Sequence, residues 1–423
     1  MYKKRLLLLG SSIWKDTISE YAKENNVSLI FAGNSQSALE DIVDETHRID
    51  STDPSLMIPF IKQLNVDGIF MGGSELVISK TCDYINQLGF PCYCTKQQWD
   101  LCQNKKAFKQ LCREYNVPCV PEFSTEDDPK NFDYPIIVKP TDACAAKGIS
   151  VCENETEYNT AIAKALEYSS EKKVIVEKYI RNGGTTMSVR YIVRDGELYL
   201  EAVGDRYVLN PEKGKALITA AAFYPSKHTD YYIKNVNDKV INMFKGIGLK
   251  NGSFFMESCF TNEGVFFYEM GLRISGGQTY KITEKTNGIN ELKMLINHSL
   301  TGNMCDEDDI KKIDPYMNGF LSASITIPLC EGKIFSISGI DMIKKIDEVG
   351  EIVQYWNVGE TILPKHLGTL DQLFARIPII AKGKERLSEI IKEIKENLSV
   401  KDENGQEMII WSKLDEIYNN YIG

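Results

Sequence analysis

The chain has 423 residues, a formal net charge of −10 and 43% apolar residues, more than one hydrophobic core usually organises, so two or three domains are expected. An acidic balance without a basic stripe excludes a protein that tracks a phosphate backbone, and no nucleic-acid partner is expected. Eleven cysteines without a C-x-x-C pair match no zinc spacing and fit reduced thiols in a cytoplasm.

Arg5 to Leu9 is a short apolar run after Lys3 and Lys4. Gly10, Trp14, Lys15 and Asp16 cut it far below a signal-peptide core. No stretch approaches the roughly 20 apolar residues of a spanning helix, so no membrane partner is expected. The run meets a Gly-Ser-Ser turn and an amphipathic pattern through Tyr21, which reads as strand, turn, helix. Val27 to Phe31 and Gly68 to Met71 follow at the spacing of alternating strands and helices, so residues 1–95 are expected to form a small doubly wound α/β domain. G-x-G-x-x-G is absent after the first strand, which leaves a nicotinamide oxidoreductase remote. Glu75 ends the third strand pattern, where open α/β sheets bind ligands; its plainer role is an acid at a helix N-terminus.

From about residue 100 a helix carries Asn104, Lys105, Lys106 and Lys109. Tyr134 to Pro140 is an apolar strand ending in Lys139, followed by small residues and Lys147 up to Gly148. Such a loop can close over phosphates with its N–H groups while Lys139, expected as a solvated point charge, holds one of them. Val174 to Ile180 runs into Gly183-Gly184 and then Met187 to Tyr191, a hinge whose main chain can meet an adenine edge. Beyond about 305, strands near Ala323 to Pro328 and Ile334 to Ile340 and a helix with Leu387, Ile390, Ile391, Ile394 and Leu398 at helical spacing read as a small α+β cap.

Residues 254–270 are two aromatic-rich strands around Thr261-Asn262-Glu263-Gly264, a β-hairpin. With Glu263 at the centre of the turn, Glu257 and Glu269 are equidistant from it and face each other, Cβ atoms about 5 Å apart. Opposed like charges destabilise a sheet and call for a cation, and one or two carboxylates completed by substrate phosphates are the usual magnesium arrangement. The alternative is the solvent face of a hairpin carrying two ordinary acids. Arg273, just past Glu269, can bind phosphate or carboxylate oxygens bidentately.

This order of Lys105, Lys139 with its loop, the Glu177-Lys178-Tyr179-Ile180 hinge, and Glu257, Glu269 and Arg273 resembles the ATP-grasp superfamily over about residues 1–400. The resemblance implies an α/β and α+β fold: a pre-ATP-grasp α/β domain (1–95), a split ATP-grasp nucleotide domain (96–305, lid about 125–205) and a C-terminal α+β cap (306–423), as in biotin carboxylase, phosphoribosylglycinamide synthetases, carbamoyl-phosphate synthase large subunits and L-amino acid ligases. It implies that Lys105, Lys139 and Lys147 bind ATP phosphates. The hinge Glu177, Lys178, Tyr179 and Ile180 would hold the nucleotide, with the backbone of Lys178 and Ile180 at adenine. Glu257 and Glu269 would hold Mg2+, for which Mn2+ can substitute. Arg273 and Glu269 would carry catalysis. The implied activity is ligation of a small carboxylate to a small amine through an acyl phosphate, releasing ADP and phosphate, in a cytoplasmic enzyme whose default assembly is a homodimer. The rivals are carboxyphosphate or carbamoyl-phosphate chemistry and a nucleotide-binding regulatory module without turnover. Gly204 to Tyr207 and Tyr224 to His228 resemble the border of the acceptor site, where Arg206 either binds an anion or forms a surface salt bridge. Three positions depart from the family pattern: Gly271 stands in place of the Asn of Glu-x-Asn-x-Arg, Thr185-Thr186 stand where a Glu is usual, and Asn104 replaces the Asp before the first lysine.

Overall fold

The computed structural model describes residues 3–10, 14–141, 148–181, 184–209 and 218–422. Lys147 and its loop neighbours lie outside the described residues. Strands β1 (Lys4–Leu9), β2 (Val27–Ala32), β3 (Glu45–His47) and β4 (Gly68–Phe70) form a parallel sheet in the order β3-β2-β1-β4. It is accompanied by helices α1 (Lys15–Glu24), α2 (Pro54–Leu64) and α3 (Glu75–Gln87). Leu6 to Leu9 are all buried, as in a parallel strand covered on both faces. Helices α4 (Lys96–Gln103) and α5 (Lys105–Glu114) follow.

A small antiparallel sheet in the order β5-β8-β6-β7 comes next, from β5 (Glu122–Phe123), β6 (Ile136–Pro140), β7 (Ser150–Cys152) and β8 (Val174–Lys178). With helix α6 (Glu155–Tyr168) it encloses its own core, centred on Ile136, Val138, Tyr158 and Val176.

The largest element is an eight-stranded antiparallel sheet. It runs β13-β12-β9-β10-β11-β14 and ends in Leu373–Ala381 and Val353–Gln354. The named strands are β9 (Thr185–Arg194), β10 (Glu197–Val208), β11 (Thr219–Tyr224), β12 (Gly252–Thr261), β13 (Gly264–Gly271) and β14 (Leu321–Pro328). Helices α7 (Thr229–Tyr232) and α8 (Asp238–Gly246) connect β11 to β12, and α9 (Tyr280–Asn287) and α10 (Glu291–Thr301) follow β13. The longest strands of the C-terminal region therefore form no separate sheet. β14 pairs with β11, so what would be an open edge of the nucleotide region is covered by the segment expected to cap it. The helix Lys384–Asn397 buries Leu387, Ile390, Ile391 and Ile394, the stripe visible in the sequence.

The N-terminal sheet is fastened to the rest through α10. A Cβ on Gly68 of β4 would lie 2.1 Å from the Ser299 carbonyl oxygen, so only glycine permits this approach. No helix among the described residues is long and apolar enough to cross a membrane.

Candidate active site

Glu257 and Glu269 do face each other across the β12–β13 ladder, by a route that differs from a regular hairpin. The turn residues are Asn262 and Glu263, with Thr261 paired to Gly264 at φ 122°. On that register Ser258 opposes Phe267, and Glu257 would next meet Tyr268. The register shifts between Glu257 and Ser258, leaving Tyr268 as the extra residue of a β-bulge and restoring Glu269 to the position opposite Glu257. A turn centred on Glu263 alone was the wrong reason for the right pair.

The two carboxylates have different surroundings. Glu257 is buried, ion-paired with the Arg206 guanidinium, and accepts a 3.3 Å hydrogen bond from Ser188 Oγ on the neighbouring β9. Arg206 also donates to Thr219 Oγ1 through Nη2 at 2.7 Å and Nε at 3.0 Å, so it is an internal strut rather than a surface salt bridge. Glu269 keeps an exposed edge. Even so, desolvation holds its carboxyl above the usual range, opposed by Lys105 and Lys139 and reinforced by Glu257 and Glu75. These charges come from the N-terminal domain, α5, the small sheet and the hairpin, so Glu269 marks where four parts of the molecule converge.

Lys105 is the first residue of α5, whose N-cap is Asn104. The Asn104 side chain accepts from the backbone N–H of Lys106 and Ala107 at 3.1 Å, a role in which Asn and Asp are equivalent. Burial lowers the Lys105 pKa, with Glu269 and Glu177 acting against it. Lys139 is not the solvated lysine expected from the sequence. It is 6% exposed and ion-paired with Glu177, which also binds Lys109. Glu177 and Lys109 are at most 1% exposed, and Lys109 Nζ donates to the Val120 carbonyl at 2.8 Å. Burial would raise the Glu177 pKa, but the two ammonium groups prevail and hold it low. The Glu177 side chain is thus the counterion of two lysines rather than a nucleotide contact. Lys109, unassigned in the sequence reading, completes the triad; its signal was its place one turn beyond Lys105.

In the hinge, the N–H groups of Lys178 and Tyr179 already donate to the Pro121 and Pro135 carbonyls, each at 2.9 Å. The Lys178 ammonium is ion-paired with Asp133 at 2.7 Å. The backbone N–H of Lys178, expected to meet adenine, is thus already engaged within the protein. Tyr179 and Ile180 follow the strand, both half-buried.

Arg273 binds Glu75 through Nη2 at 2.6 Å and Nε at 3.2 Å and lies 5.1 Å from the centre of the Phe255 ring. Glu75 opens α3, the helix N-terminal acid of the plainer sequence reading, and is the partner of Arg273. Phe255 also explains the missing asparagine. It pairs with Gly271, where a Cβ would stand 2.5 Å from its ring, leaving no room for the family's Asn.

Just beyond, the chain reaches a second polar group that the sequence did not mark. Gln278 is 4% exposed, and neither of its amide atoms meets a hydrogen-bond partner among the described residues. A Cβ on the adjacent Gly277 would lie 3.2 Å from Arg190 Nη2 and 3.5 Å from Arg376 Nη1, so both guanidinium groups flank this turn. Lys281, ion-paired with Glu351, lines the same recess. Arg376 belongs to the C-terminal region and could not be connected to Gln278 from spacing alone.

An eight-stranded sheet with a separate small antiparallel sheet, two opposed glutamates and paired lysines give this chain the ATP-grasp fold. Residues 104–301 match the family described as the carbamoyl-phosphate synthase L chain, ATP binding domain. A phosphoribosylamine–glycine ligase from Clostridium acetobutylicum is 22% identical over 361 residues, 80% of this chain and 84% of that protein. The fold is similar to phosphoribosylglycinamide synthetase from Anaerococcus prevotii (TM-score 0.76, 17% identity, 95% of this chain and 100% of that one). L-amino acid ligase from Bacillus licheniformis gives the same four values. The biotin carboxylase domain dimer of Hydrogenobacter thermophilus 2-oxoglutarate carboxylase, in complex with MgADP and bicarbonate, follows at TM-score 0.74 and 17% identity, covering 94% of this chain and 91% of that one.

Proposed function

We propose that this protein is an ATP-dependent carboxylate–amine ligase that releases ADP and phosphate. The observation that carries the reading is the opposed pair Glu257 and Glu269, the first buried, the second open to solvent and under the charge of Lys105 and Lys139. Two carboxylates of this kind fit a hard divalent cation that takes its remaining ligands from nucleotide phosphates and water. When bound, Mg2+ supplies charge neutralisation at the phosphates. Glu257 and Glu269 would hold it, and Mn2+ can replace it. Lys105 orients the phosphate chain, and Lys139 is held in place by its ion pair with Glu177. The γ-phosphoryl group passes to a carboxylate oxygen of the substrate, giving ADP and an acyl phosphate. The amine then attacks the acyl carbon, and the C–O bond to phosphate breaks. Arg273, held by Glu75, would exchange that partner for the developing negative charge at the acyl phosphate.

A second reading, a nucleotide-binding module without turnover, draws on the Arg206–Glu257 pair and on Gly271. The two are separated by measuring ADP and phosphate release while amino acids and other small carboxylates are offered in pairs. Release stimulated by a pair supports the ligase. Formation of AMP, or MgATP binding without stimulation by any pair, overturns it.

A further inference from the structure

Cys112 and Cys119 sit where the nucleotide region is hinged to its phosphate-facing helix, and nothing in the proposed ligation uses them. Cys112 lies near the end of α5, wholly buried, and Cys119 is half-buried on the segment that returns from that helix. Their thiols are within hydrogen-bonding reach of each other. The return is fixed at several points: Val117 N–H donates to the Cys112 carbonyl at 2.8 Å, Phe267 N–H to the Pro118 carbonyl at 3.0 Å, and Val120 N–H to the Phe267 carbonyl at 3.0 Å. Cys119 is itself bridged to Phe267. The pair thus joins the helix bearing Lys105 and Lys109 to the strand that leads through the bulge into Glu269.

We propose that Cys112 and Cys119 are a thiol pair that closes into a reversible disulfide under hydroperoxide and thereby weakens the nucleotide site. The half-buried Cys119 is the attacking sulfur. Its contact with Cys112 brings its pKa down to about 7 despite burial, and Lys109 and Arg113 assist. Such a thiol is substantially ionised near neutral pH. Its thiolate attacks one oxygen of hydrogen peroxide, the O–O bond breaks, and hydroxide leaves, giving a sulfenic acid. Cys112 sulfur then attacks Cys119 sulfur, the S–O bond breaks, and hydroxide departs with the Cys112 proton as water. Two thiols are oxidised, one peroxide is reduced to two waters, and a thiol reductant reverses the change. Closing the sulfurs from hydrogen-bonding contact to a bond of about 2.05 Å draws the end of α5 towards residue 119. Lys109 lies one turn before Cys112 and is anchored on Val120, next to Cys119, so the movement acts on the ammonium that shares Glu177 with Lys139.

Other thiols provide the contrast. Cys82 and Cys94 also touch, and their contact likewise lowers one thiol, Cys82, and raises the other, Cys94, but both are buried, whereas Cys119 is partly open to solvent. The experiment treats the full chain with a small excess of hydrogen peroxide, blocks remaining thiols, and maps crosslinked peptides by mass spectrometry, with and without subsequent dithiothreitol. The expected product joins Cys112 to Cys119 and disappears on reduction. Cys119→Ser abolishes it. Cys112→Ser, whose hydroxyl can still donate to the Cys119 sulfur but cannot form a disulfide, leaves a sulfenic acid on Cys119 that dimedone traps, and that variant keeps the test decisive should Cys119→Ser fold poorly. In parallel, the thermal shift produced by MgATP is compared for oxidised, reduced and re-reduced protein. This arm rests on the nucleotide reading above. The expected result is a shift at least halved on oxidation and restored by dithiothreitol. Free Cys112 and Cys119 beside a Cys82–Cys94 crosslink, or a 112–119 disulfide with an unchanged MgATP shift, would overturn the proposal. A reduced protein that ignores MgATP altogether contradicts the nucleotide reading instead, while the peptide map still decides the thiol chemistry.

Discussion

Glu177→Gln is the perturbation that tests the site's foundation most directly. It keeps the shape of the side chain and removes a carboxylate in contact with both Lys109 and Lys139. All three residues are nearly inaccessible to solvent, Lys109 completely so. Removing one partner from a buried ion pair costs about 3–5 kcal/mol, because the opposite charge is left without compensation. Here the Lys109 ammonium keeps its bond to the Val120 carbonyl, and Lys139 is left with the repulsion of Lys105. A loss of that size is a large part of a stability on the order of 5–15 kcal/mol. It should appear in urea unfolding at pH 7 as an early transition of the small antiparallel sheet. Lys109→Met added to Glu177→Gln removes the stranded charge and should recover at least about 1 kcal/mol, a non-additivity expected for residues in contact. The pH dependence has a definite sign. The folded-state pKa of Glu177 lies below its ordinary value of 4.5, so its stabilisation is present above pH 4.5 and is lost as pH falls through the lower folded value. Wild type should therefore lose stability towards the variant only in acid. If Glu177→Gln lies within about 0.5 kcal/mol of wild type at pH 7, and the added Lys109→Met is simply additive, the triad is not a buried electrostatic unit.

Glu269→Gln relieves the repulsion from Glu257 and Glu75, so in metal-free buffer it should match or exceed wild type by up to about 1 kcal/mol, the scale of cross-strand pairs. With Mg2+ and ATP the order should reverse in a thermal-shift series, and ADP release should fall at least about a hundredfold; equal turnover and equal metal-dependent stabilisation would remove the metal role. Lys105→Met deletes a partly desolvated charge, so stability should hold while ATP affinity by calorimetry falls about tenfold or more, the worth of a charge-assisted contact; unchanged affinity rules out a phosphate contact. Glu291, buried beside Glu201, is pushed up to about 8 by burial first and Glu201 second. Its favourable term is complete below pH 4.5 and is lost as pH rises through about 8. Between about pH 5 and 8 wild type should lose stability relative to Glu291→Gln and then level off, and parallel pH curves for the two proteins would contradict a buried, protonated Glu291.

The sequence by itself determined the local elements and the order of the chemical signals along the chain. Apolar runs ending in Gly-rich turns specify the parallel sheet, the spacing of Leu387, Ile390 and Ile394 specifies a buried helical stripe, and Thr261 to Gly264 specifies a hairpin with a glutamate on each arm. These follow from periodicity and turn chemistry, which act over a few residues. Tertiary structure decided which charges meet. The bulge at Tyr268 sets the register that opposes Glu257 to Glu269, and one residue fewer in that arm's count would have changed the partner. Glu177 left the hinge reading because its side chain points into the interior between β6 and α5, where two lysines from distant segments enclose it. Arg206 reaches Glu257, Arg273 reaches Glu75, and Arg376 stands near Gln278 only because separate parts of the chain pack together. The edge of β11 selects β14 for the same reason: an exposed strand edge has unpaired backbone groups that any suitable strand can satisfy, and the choice among candidates is made by the whole packed core.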